Sequence, residues 1–591
     1  MYNAAGPAMT SPSGIVTLAL VGLFTAASPP SPAASPSAPA QPTRTAPVIL
    51  YTDAPSGPTS GGENNHGGYL SIFGKNFGDR SGLGTKTKVF VGTAEVANYR
   101  YLGPSVVFGK QRIEQLTVQV GALGKMKTGT PAPVKVVVNG VASNTDQTFT
   151  PSGGRVLFVG LNGNDANAAP NDIKRPWRHL QDQPAQRGAY FAMRAGDQVV
   201  IRGGKWSDAD GIDTTWMRFG KDATKKGTAT GWIHITAHPG PINGNAIENV
   251  SYVAPTDKAG GIQGPWSAIR GVSGSYISVS NLHLAASATT KSDGAPINTQ
   301  YSDGPWRIVN NELGPWPSTL AAPENAKAGG VAGGGNPLTV YGNYIHDIDC
   351  ASGRTYNPLE NHGIYIDNDG AYDIGWNAIF AIRGGNGVQT YNNGSGGSQV
   401  TNNVSIHHNF FYGSTGKHGV NIADGSGAGF KVFNNVITDT TGAGIRFNST
   451  EIRAKIWNNT LFNVNRSRNP RLGALANDST GKPGGIDVAN NIIWPFPGTA
   501  YTGGTVGFGS ESAWTNNLFY GAPDAPDKST ATNAVVANPQ LANPGMDFRL
   551  QPSSPAKDKG AASVAGVVTN DFNGVPRPQG SGFDIGAFEL P

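Results

Sequence analysis

The chain has 591 residues, of which 82 are Gly and 42 are Pro, and only 14% of its residues are charged. This composition excludes a coiled coil or a charged helical bundle and favours many short strands joined by turns. The net charge of +5 is spread over 44 basic and 39 acidic residues without a block of like charge, so it gives no indication of a nucleic-acid partner and is compatible with an acidic substrate.

The first predicted element is an export signal in residues 1–27. Its apolar run, Ile15–Phe24, is long enough for a signal peptide and too short to span a bilayer. No Lys or Arg precedes Arg44, which departs from the basic start that such signals normally carry. Residues 28–46, rich in Pro, Ser and Ala, are predicted to be an extended linker. We therefore expect a secreted, periplasmic or cell-surface protein without a membrane span.

Residues 47–152 are predicted to form a small β-sandwich, because alternating apolar residues and short turns mark several strands. The strands that the sequence predicts are Tyr69–Gly74, Lys88–Gly92, Gln115–Gly121 and Val134–Gly140. The phrases GGYLSIFGKNFGD, KVFVGTAEV and VKVVVNGVASN resemble the IPT/TIG family of immunoglobulin-like domains. The resemblance implies a spacer or binding module, so no catalytic residue is expected in this domain.

Residues 153–545 carry a repeated phrase, hydrophobic-x-Asn-Asn-hydrophobic, at intervals of 24 to 34 residues. The last Asn of each copy is Asn281, Asn311, Asn343, Asn377, Asn409, Asn435, Asn459, Asn491 or Asn517. Asn tolerates the left-handed conformation of a tight corner, and its amide can bond to the copies above and below. One coil per repeat predicts a right-handed parallel β-helix, whereas a WD40 or kelch propeller needs about 40 to 50 residues per blade.

The two ends of this region resemble the right-handed parallel β-helix repeat proteins of the pectate lyase-like superfamily. The opening phrases are Arg155–Asn167 and Ala195–Trp206, with a candidate capping helix over Arg175–Gln183 between them. Residues 546–591 resemble the closing segment of such proteins. The resemblance implies an all-β fold, a parallel β-helix preceded by an immunoglobulin-like sandwich. It leaves the reaction open, because the superfamily includes polysaccharide lyases, glycoside hydrolases, uronate epimerases, esterases and adhesins.

A second phrase, Gly followed by Ile or Val, marks four successive coils, and its glycines are Gly363, Gly387, Gly419 and Gly444. If each Gly occupies the same corner, residues at equal offsets stack in columns about 4.8 Å apart. Alternation then sends one column of apolar residues inward, namely Ile364, Val388, Val420 and Ile445. The predicted outer columns are Tyr365, Gln389, Asn421 and Arg446; Asp367, Tyr391, Ala423 and Asn448; and His362, Asn386, His418 and Ala443.

This outer strip is interpreted as a glycan-binding face. Aromatic rings contact the C–H groups of sugars, amides bind hydroxyls, and an Arg fork binds a carboxylate. The side chains expected to bind substrate are Gln389, Tyr391, Asn421 and Asn448. The open alternative is that Asn and Gln only form stabilising amide ladders and that the histidines have no functional role.

The preferred reaction is β-elimination on a uronate, which needs a group that neutralises the carboxylate, a base for the C5 proton and an acid for the departing oxygen. The candidates for the first task are Arg446, Arg383 and a calcium ion. The candidates for the base are His362 and His418, since the ordinary pKa of His lies near 6.5. The candidates for the acid are Tyr365 and Lys417.

Calcium is the one cofactor that the sequence offers, at a Gly-containing loop with Asp367, Asp369 and Asp373, although an ordinary Asx-rich turn explains the same residues. Hydrolysis is the second reaction considered, with Asp367 and Asp424 as a carboxylate pair on two coils. A non-catalytic adhesion protein could use the same strip. The sequence lacks GxSxG, HExxH and P-loop motifs, and its single cysteine, Cys350, excludes a disulfide framework. The oligomeric state stays open.

Overall fold

Short strands rich in Val, Ile and aromatic residues build three long parallel sheets, and the chain visits these sheets in turn to form a right-handed parallel β-helix. In this computed structural model the described residues are 46–123, 126–207, 215–220, 225–241, 246–254, 267–286, 294–318, 329–350, 361–367, 370–391, 403–413, 417–423, 428–448, 453–478, 485–505, 507–508, 511–523 and 531–590. The predicted export signal and nearly all of the predicted linker lie outside them.

The strands of each sheet pair with those of the next coil in parallel register. The first sheet consists of Val156–Val159, Gln198–Ile201, Ile233–Ala237, Ile277–Ser280, Trp306–Val309, Leu338–Tyr341, Tyr372–Gly375, Val404–His407, Ala428–Phe433, Arg453–Trp457, Ile486–Ala489, Ala513–Thr515 and Ala531–Thr532. The second consists of Gly204–Trp206, Val250–Ala254, His283–Ala286, Glu312–Leu313, Trp316–Ser318, Tyr344–Cys350, Ala378–Ile382, Phe410–Tyr412, Val436–Thr438, Thr460–Val464, Ile492–Pro495, Leu518–Phe519 and Val535–Val536. The third consists of Met217–Phe219, Ile269–Gly271, Ile297–Asn298, Gly329–Gly333, His362–Asp367, Val388–Tyr391, Val420–Ala423, Ile445–Asn448, Gly473–Asn477 and Ala500–Gly503.

The inner faces of the three sheets enclose one continuous apolar core. Alternate residues of each strand point into it, as Ile374, Ile406, Val432 and Ile456 do in the first sheet. Because every coil contributes one apolar row from each sheet, each row is covered only when its neighbouring coils are present. The core is therefore stabilised by stacking along the coil axis.

A small β-sandwich precedes the β-helix. Its first sheet consists of Val48–Thr52, Tyr69–Lys75, Glu114–Gln119 and Asn98–Pro104. Its second sheet consists of Ser56–Pro58, Thr148–Ser152, Ala132–Val138, Thr87–Val91, Ala94–Glu95 and Val141–Ala142. The four strands predicted from sequence are all present to within two residues at either end, and their apolar sides form a separate core. The IPT/TIG family assignment itself stays a prediction.

Helix is scarce among the described residues. The α-helices are Phe108–Gln111 and Ala189–Ala192, and the 3-10 helices are Glu63–Asn65, Arg80–Gly82 and Ala562–Val564. The capping helix predicted over Arg175–Gln183 is wrong: Trp177 pairs with Val159 of the first sheet in a β-bridge, Asp182 pairs with Arg187 in another, and the rest is irregular. No helix among the described residues is long and apolar enough to cross a membrane.

A ladder of asparagines runs along the corner between the first and second sheets, as predicted. Its members are Asn311, Asn343, Asn377, Asn409, Asn435, Asn459, Asn491 and Asn517. The backbone N–H of Asn435 donates to Oδ1 of Asn459 at 3.0 Å, and its Nδ2 donates to the same oxygen at 2.9 Å. Nδ2 also donates to the Ile406 carbonyl at 2.8 Å. Each side chain thus satisfies the buried backbone of neighbouring coils.

The sequence analysis gave one corner Asn two roles, the left-handed conformation and the hydrogen bonds to neighbouring coils. In the structure these roles belong to two successive residues. The left-handed residue comes directly before the ladder residue, as at Asn434 with φ 52° and Asn458 with φ 52°. Asn281 is therefore misassigned by one position: its φ is 59°, and the ladder bond of that coil is the N–H of Leu282 donating to Asn311.

The sandwich and the C-terminal segment cover this corner from outside. Tyr51 of the sandwich stacks on Phe73 and lies against Trp376, with ring centroids 4.9 and 5.3 Å apart, respectively. Gln111 donates to the carbonyl of the ladder residue Asn377 at 2.8 Å. A chain segment beyond residue 540 continues the cover, where Asn458 donates to the Asp584 carbonyl at 3.0 Å. The outer face of the third sheet belongs to another flank of the coil.

Candidate functional site

The four glycine-led phrases lie in the predicted register on the third sheet. The strand pairing aligns Ile364 with Val388, Val420 and Ile445. All four are fully buried in the core, so the predicted inward column is confirmed. The glycines are required at this corner because a Cβ on Gly363 would lie 2.6 Å from the carbonyl oxygen of Gly387, and one on Gly387 would lie 2.6 Å from that of Gly419.

The neighbouring outer column is also aligned as predicted. Tyr365 pairs with Gln389, Gln389 with Asn421, and Asn421 with Arg446. Tyr391 and Asn448 end their strands and are half-buried. The exposure of the column is uneven: Tyr365 and Arg446 are half-buried, whereas only 6% of Gln389 and 4% of Asn421 is exposed. The side chains that reach the surface are therefore at the two ends of the column.

The residues just before the glycines form a second ladder. Nδ1 of His362 accepts the backbone N–H of Asn386 at 3.0 Å. Oδ1 of Asn386 accepts the N–H of His418 at 3.0 Å, and Nδ1 of His418 accepts the N–H of Ala443 at 2.9 Å. The two histidines thus do the same work as an asparagine, and they are 1% and 6% exposed.

This ladder argues against a basic role for the histidines. Burial, together with the charges of Arg446 and Lys417, lowers the pKa of His418 to about 3, so its ring is neutral at physiological pH. A neutral ring whose Nδ1 already accepts a hydrogen bond carries its proton on Nε2 and has no free lone pair. We therefore interpret His418, and by the same geometry His362, as support for the backbone.

The amides of the strip bind one another, which fits the ladder alternative. Oε1 of Gln389 accepts hydrogen bonds from Nδ2 of Asn386 at 2.6 Å and from Nδ2 of Asn421 at 2.7 Å. Nη1 of Arg446 lies 3.5 Å from Oδ1 of Asn421, at the limit of a hydrogen bond. These contacts hold Asn421 and Gln389 rigid behind the Arg446 guanidinium. Their buried amides support the surface and offer little to a ligand.

A cationic pair lies at the other end of the strip. Nε of Arg446 donates to Oδ2 of Asp478 at 2.8 Å, which fixes the guanidinium on the outer face. The backbone of Lys417 contacts the Arg446 coil, where its carbonyl accepts the N–H of Gly442 at 2.5 Å. Burial and the nearby charge of Arg446 lower the pKa of Lys417 to about 8. This lysine is the titratable group of the strip best suited to accept a proton near neutral pH.

Aromatic rings mark the opposite end. The rings of His362 and Tyr365 are stacked with centroids 5.6 Å apart, and those of Tyr365 and Tyr391 are stacked at 6.3 Å. Tyr365 and Tyr391 are both partly exposed. Such rings can contact the apolar faces of sugar units.

Of the three carboxylates predicted to bind calcium, the structure describes only that of Asp373. Asp373 belongs to the first sheet, where it accepts hydrogen bonds from Tyr341 and pairs with His407 at 2.8 Å. Asp373 thus has partners on two neighbouring strands of the first sheet, and the calcium site stays a prediction. Asp369 and the side chain of Asp367 lie outside the described residues. No group of three or more metal-ligating side chains occurs in the described part of the chain.

Arg383 lies outside the cationic pair. It follows the second-sheet strand Ala378–Ile382, is 53% exposed, and its Nη2 lies 3.9 Å from Oδ1 of Asp347. Asp424, the second carboxylate of the hydrolysis alternative, is outside the described residues.

Asp478 is the site residue that the sequence did not indicate. It follows the strand Gly473–Asn477, which pairs with Ile445–Asn448 and continues the third sheet. In that coil Ala474 occupies the place that Gly444 has in the preceding one, as the hydrogen bond from Gly444 to the Ala474 carbonyl shows. The glycine-led phrase is broken there, so the coil was not recognised. The alternation in GALAND is the signal that could have found it.

Comparison with solved structures gives distant likenesses. Pectate lyase Pel9A is 14% identical, with a TM-score of 0.34, and the alignment covers 74% of this chain and 96% of that chain. The PL6 family alginate lyase AlyGC is also 14% identical, with a TM-score of 0.31, over 60% of this chain and 52% of that chain. No protein-family profile and no curated protein sequence matches the chain. The assignment of the parallel β-helix rests on the strand pairing, and these values do not bear on activity.

Proposed function

We propose that this protein is an exported polysaccharide lyase that cleaves a uronate-containing glycan by β-elimination on the outer face of its third sheet. The proposal is supported by the in-register strip that has aromatic rings at one end and a cationic pair at the other. The observation that carries it is the juxtaposition of Arg446, fixed by Asp478, with Lys417, whose pKa is lowered to about 8.

In this mechanism Arg446 binds the carboxylate of the sugar. Its Nε donates to Asp478 and its Nη1 lies near Oδ1 of Asn421, so Nη2 is the group proposed to face an anion. The guanidinium stabilises the negative charge that develops when the proton on C5 is removed. The supporting amides Gln389 and Asn421 keep the guanidinium from turning away.

Lys417 is the proposed base. In its neutral form it takes the C5 proton, the electron pair of the C5–H bond forms the C4–C5 double bond, and the bond from C4 to the glycosidic oxygen breaks. The departing oxygen takes a proton from solvent water, because Tyr365, the donor expected from the sequence, is three coils away from Arg446 along the column, about 14 Å. Lys417 was a candidate acid in the sequence interpretation, and it exchanges roles with the histidines because their Nδ1 atoms are occupied.

The first experiment incubates the protein with alginate, pectate, glucuronan and neutral glycans. We expect new ultraviolet absorbance from unsaturated ends with at least one acidic glycan, and none with the neutral ones. Lys417→Met should lower kcat by about 10²- to 10⁴-fold, the usual contribution of a general base. New reducing ends without the absorbance would identify a hydrolase, and neither signal would identify a non-catalytic binding protein; both results contradict the proposal.

His418→Asn is the matched control. Asn386 already performs the same backbone contact in the adjacent coil, so an asparagine at position 418 can accept the Ala443 N–H. We expect this variant to keep its activity to within about tenfold. A loss as large as that of Lys417→Met would return the base to His418 and contradict our assignment.

A further inference from the structure

The outer face of the first sheet carries a cationic groove in its C-terminal part, on a different flank from the third sheet. Lys431, Lys455 and Asp487 are in register on three successive strands. Arg453 begins the Lys455 strand, and Glu511 lies at the far end. Together they line a cavity of about 520 Å³.

Two glycines line this groove. Gly429 and Gly485 lie in the coils on either side of Arg453, with φ values of 102° and 111° that other residues rarely adopt. A Cβ on Gly429 would lie 3.0 Å from Oδ1 of Asn403, and one on Gly485 would lie 3.4 Å from the carbonyl oxygen of Glu511. The backbone at both positions therefore favours glycine.

The three cations of the groove form no ion pair with any residue in the described part of the chain. No described carboxylate lies within the ion-pair distance of Lys431, Arg453 or Lys455, although most described arginines elsewhere are paired. Nζ of Lys455 lies 4.6 Å from the ring centroid of Trp457, a cation–π contact that holds the ammonium in place. Lys431 and Lys455 are direct neighbours on paired strands, an arrangement that repels unless an anion lies between the ammonium groups.

The acidic residues give the groove a direction. Asp487 and Glu511 lie on the coils that follow Lys455, so positive charge on two coils gives way to negative charge on the next two. A ligand with a carboxylate fits the first part, and sugar hydroxyls can donate to the carboxylates of the second. A uniformly dense polyanion such as nucleic acid would be repelled there.

The groove lies beyond the part of the first sheet that the sandwich covers. In the earlier coils the same outer column is covered by the sandwich, where Ser278 and Arg307 donate to the carbonyls of Asp53 and Thr52. In the coils of the groove the C-terminal segment packs against Trp457 and Ala489 at the corner, and Arg453 and Lys455 are exposed.

We propose that this groove is a second binding site, specific for the carboxylate groups of an acidic glycan and separate from the strip on the third sheet. Arg453 and Lys431 bind the carboxylate, Lys455 adds its charge from above Trp457, and Asp487 accepts from the neighbouring hydroxyls. The site holds the polymer without acting on it.

The test compares two triple variants with equal loss of charge. The groove variant is Lys431→Ser, Arg453→Ser and Lys455→Ser, and the control variant is Lys127→Ser, Lys174→Ser and Lys559→Ser, all at exposed positions of other surfaces. Both are made in the Lys417→Met background so that the polymer is not cleaved. Their mobility is measured by electrophoresis in gels that contain polygalacturonate, alginate or neutral dextran.

We expect the parent to be retarded by at least one of the acidic polymers and not by dextran, the groove variant to bind about tenfold more weakly, and the control variant to match the parent. If both triple variants lose the same amount of binding, the loss is explained by net charge alone and the proposal is overturned. The proposal is also overturned if no polymer retards the parent. Tighter binding of the parent to a single-stranded DNA oligonucleotide than to the acidic glycans would overturn the ligand class.

A separate experiment uses the same groove substitutions to test the lyase proposal. In the background with Lys417 intact, the groove variant should turn over a short acidic oligosaccharide at the parent rate, because the third sheet is untouched. If the protein binds acidic glycans through the groove but cleaves none, the lyase proposal is contradicted and the proposal of a binding site in the groove is supported. Loss of turnover in the groove variant, with an unchanged circular dichroism spectrum, would contradict the separation of the two sites.

Discussion

The corner between the first and second sheets and the outer face of the third sheet are built by the same stacking and differ in what is stacked. At the corner, one residue type repeats from Asn311 to Asn517, and each copy bonds to the next through the same atoms. On the third sheet, the outer columns change residue at every coil. His362, Asn386 and His418 all accept a backbone N–H from the next coil, although they are not of one residue type.

The difference separates structural from functional stacking. A corner whose only task is to satisfy buried backbone has one best solution, and it recurs. A face that binds a ligand needs a different group at each position along the ligand, so repetition is lost while register is kept. The following experiments test whether the two regions differ in this way, from the largest expected effect to the smallest.

The largest effect is expected at the corner. Asn435→Ala removes the acceptor of the N–H and Nδ2 of Asn409 and the donor to the Ile406 carbonyl, all of them buried. Each unsatisfied buried group costs about 1 to 3 kcal/mol, so we expect the free energy of unfolding to fall by at least about 3 kcal/mol. Urea denaturation followed by tryptophan fluorescence measures it.

Asn421→Ala on the third sheet is the comparison. It removes one hydrogen bond to Gln389, whose Oε1 keeps its bond from Asn386, so the expected loss is about 1 kcal/mol. Equal losses for the two variants would contradict the distinction between a structural corner and a surface face.

The fold was largely predictable because its causes are local and repeated. The Asn phrase satisfies the same backbone groups in each coil, and the glycine column avoids the same clash, so period and register can be read from the chain. Asn281 shows where this fails: two adjacent residues share the corner, and only the backbone angles reveal which of them is in the ladder. The capping helix failed because Trp177 pairs with a strand that the sequence does not place beside it.

The register of the strip was predictable, but the contacts of its side chains were not. The alignment of Tyr365 with Arg446 follows from the glycine register. The roles of the histidines depend on N–H groups donated from another coil, and the pairing of Asp373 with His407 and Tyr341 depends on strands of two further coils. Such contacts join residues of separate repeats, and no spacing in the sequence encodes them.

Acidification is expected to lower the free energy of unfolding by less than the Asn435→Ala substitution does. Because the pKa of His418 is about 3 in the folded protein, the unfolded chain binds one more proton than the folded one between that value and the ordinary pKa of His. Stability contributed by this ring is therefore lost as the pH falls below about 6.5, by about 2 kcal/mol at pH 5. His418→Asn removes the titration and should lose less stability than the parent between pH 8 and pH 5. Urea midpoints at both values measure the difference, and an equal loss in the two proteins would mean that His418 is not a buried neutral ring.

The smallest effect concerns the pH dependence of the proposed reaction. Lys417 must be neutral to act as base, so kcat/KM for an acidic glycan should rise with pH through about 8, the pKa of Lys417. The charge of Arg446 contributes to this lowered pKa. Arg446→Gln removes that charge, and we expect the rise to move upward by about one pH unit, in addition to the loss of carboxylate binding. Initial rates at low substrate concentration over a series of buffers give the profile.

Arg453→Gln provides the matched control for this shift, since it removes the same charge from the first-sheet groove and should leave the profile in place. If Arg446→Gln lowers kcat/KM but leaves the pH at which kcat/KM rises unchanged, the pKa of the base does not depend on the guanidinium. That result contradicts the assignment of Lys417 as the base. If both variants move the profile equally, the shift reports the net charge of the protein. Only a shift confined to Arg446→Gln ties the base to the cationic end of the strip, because a charge perturbs a pKa strongly at short range and is screened beyond about 10 Å in ordinary buffer.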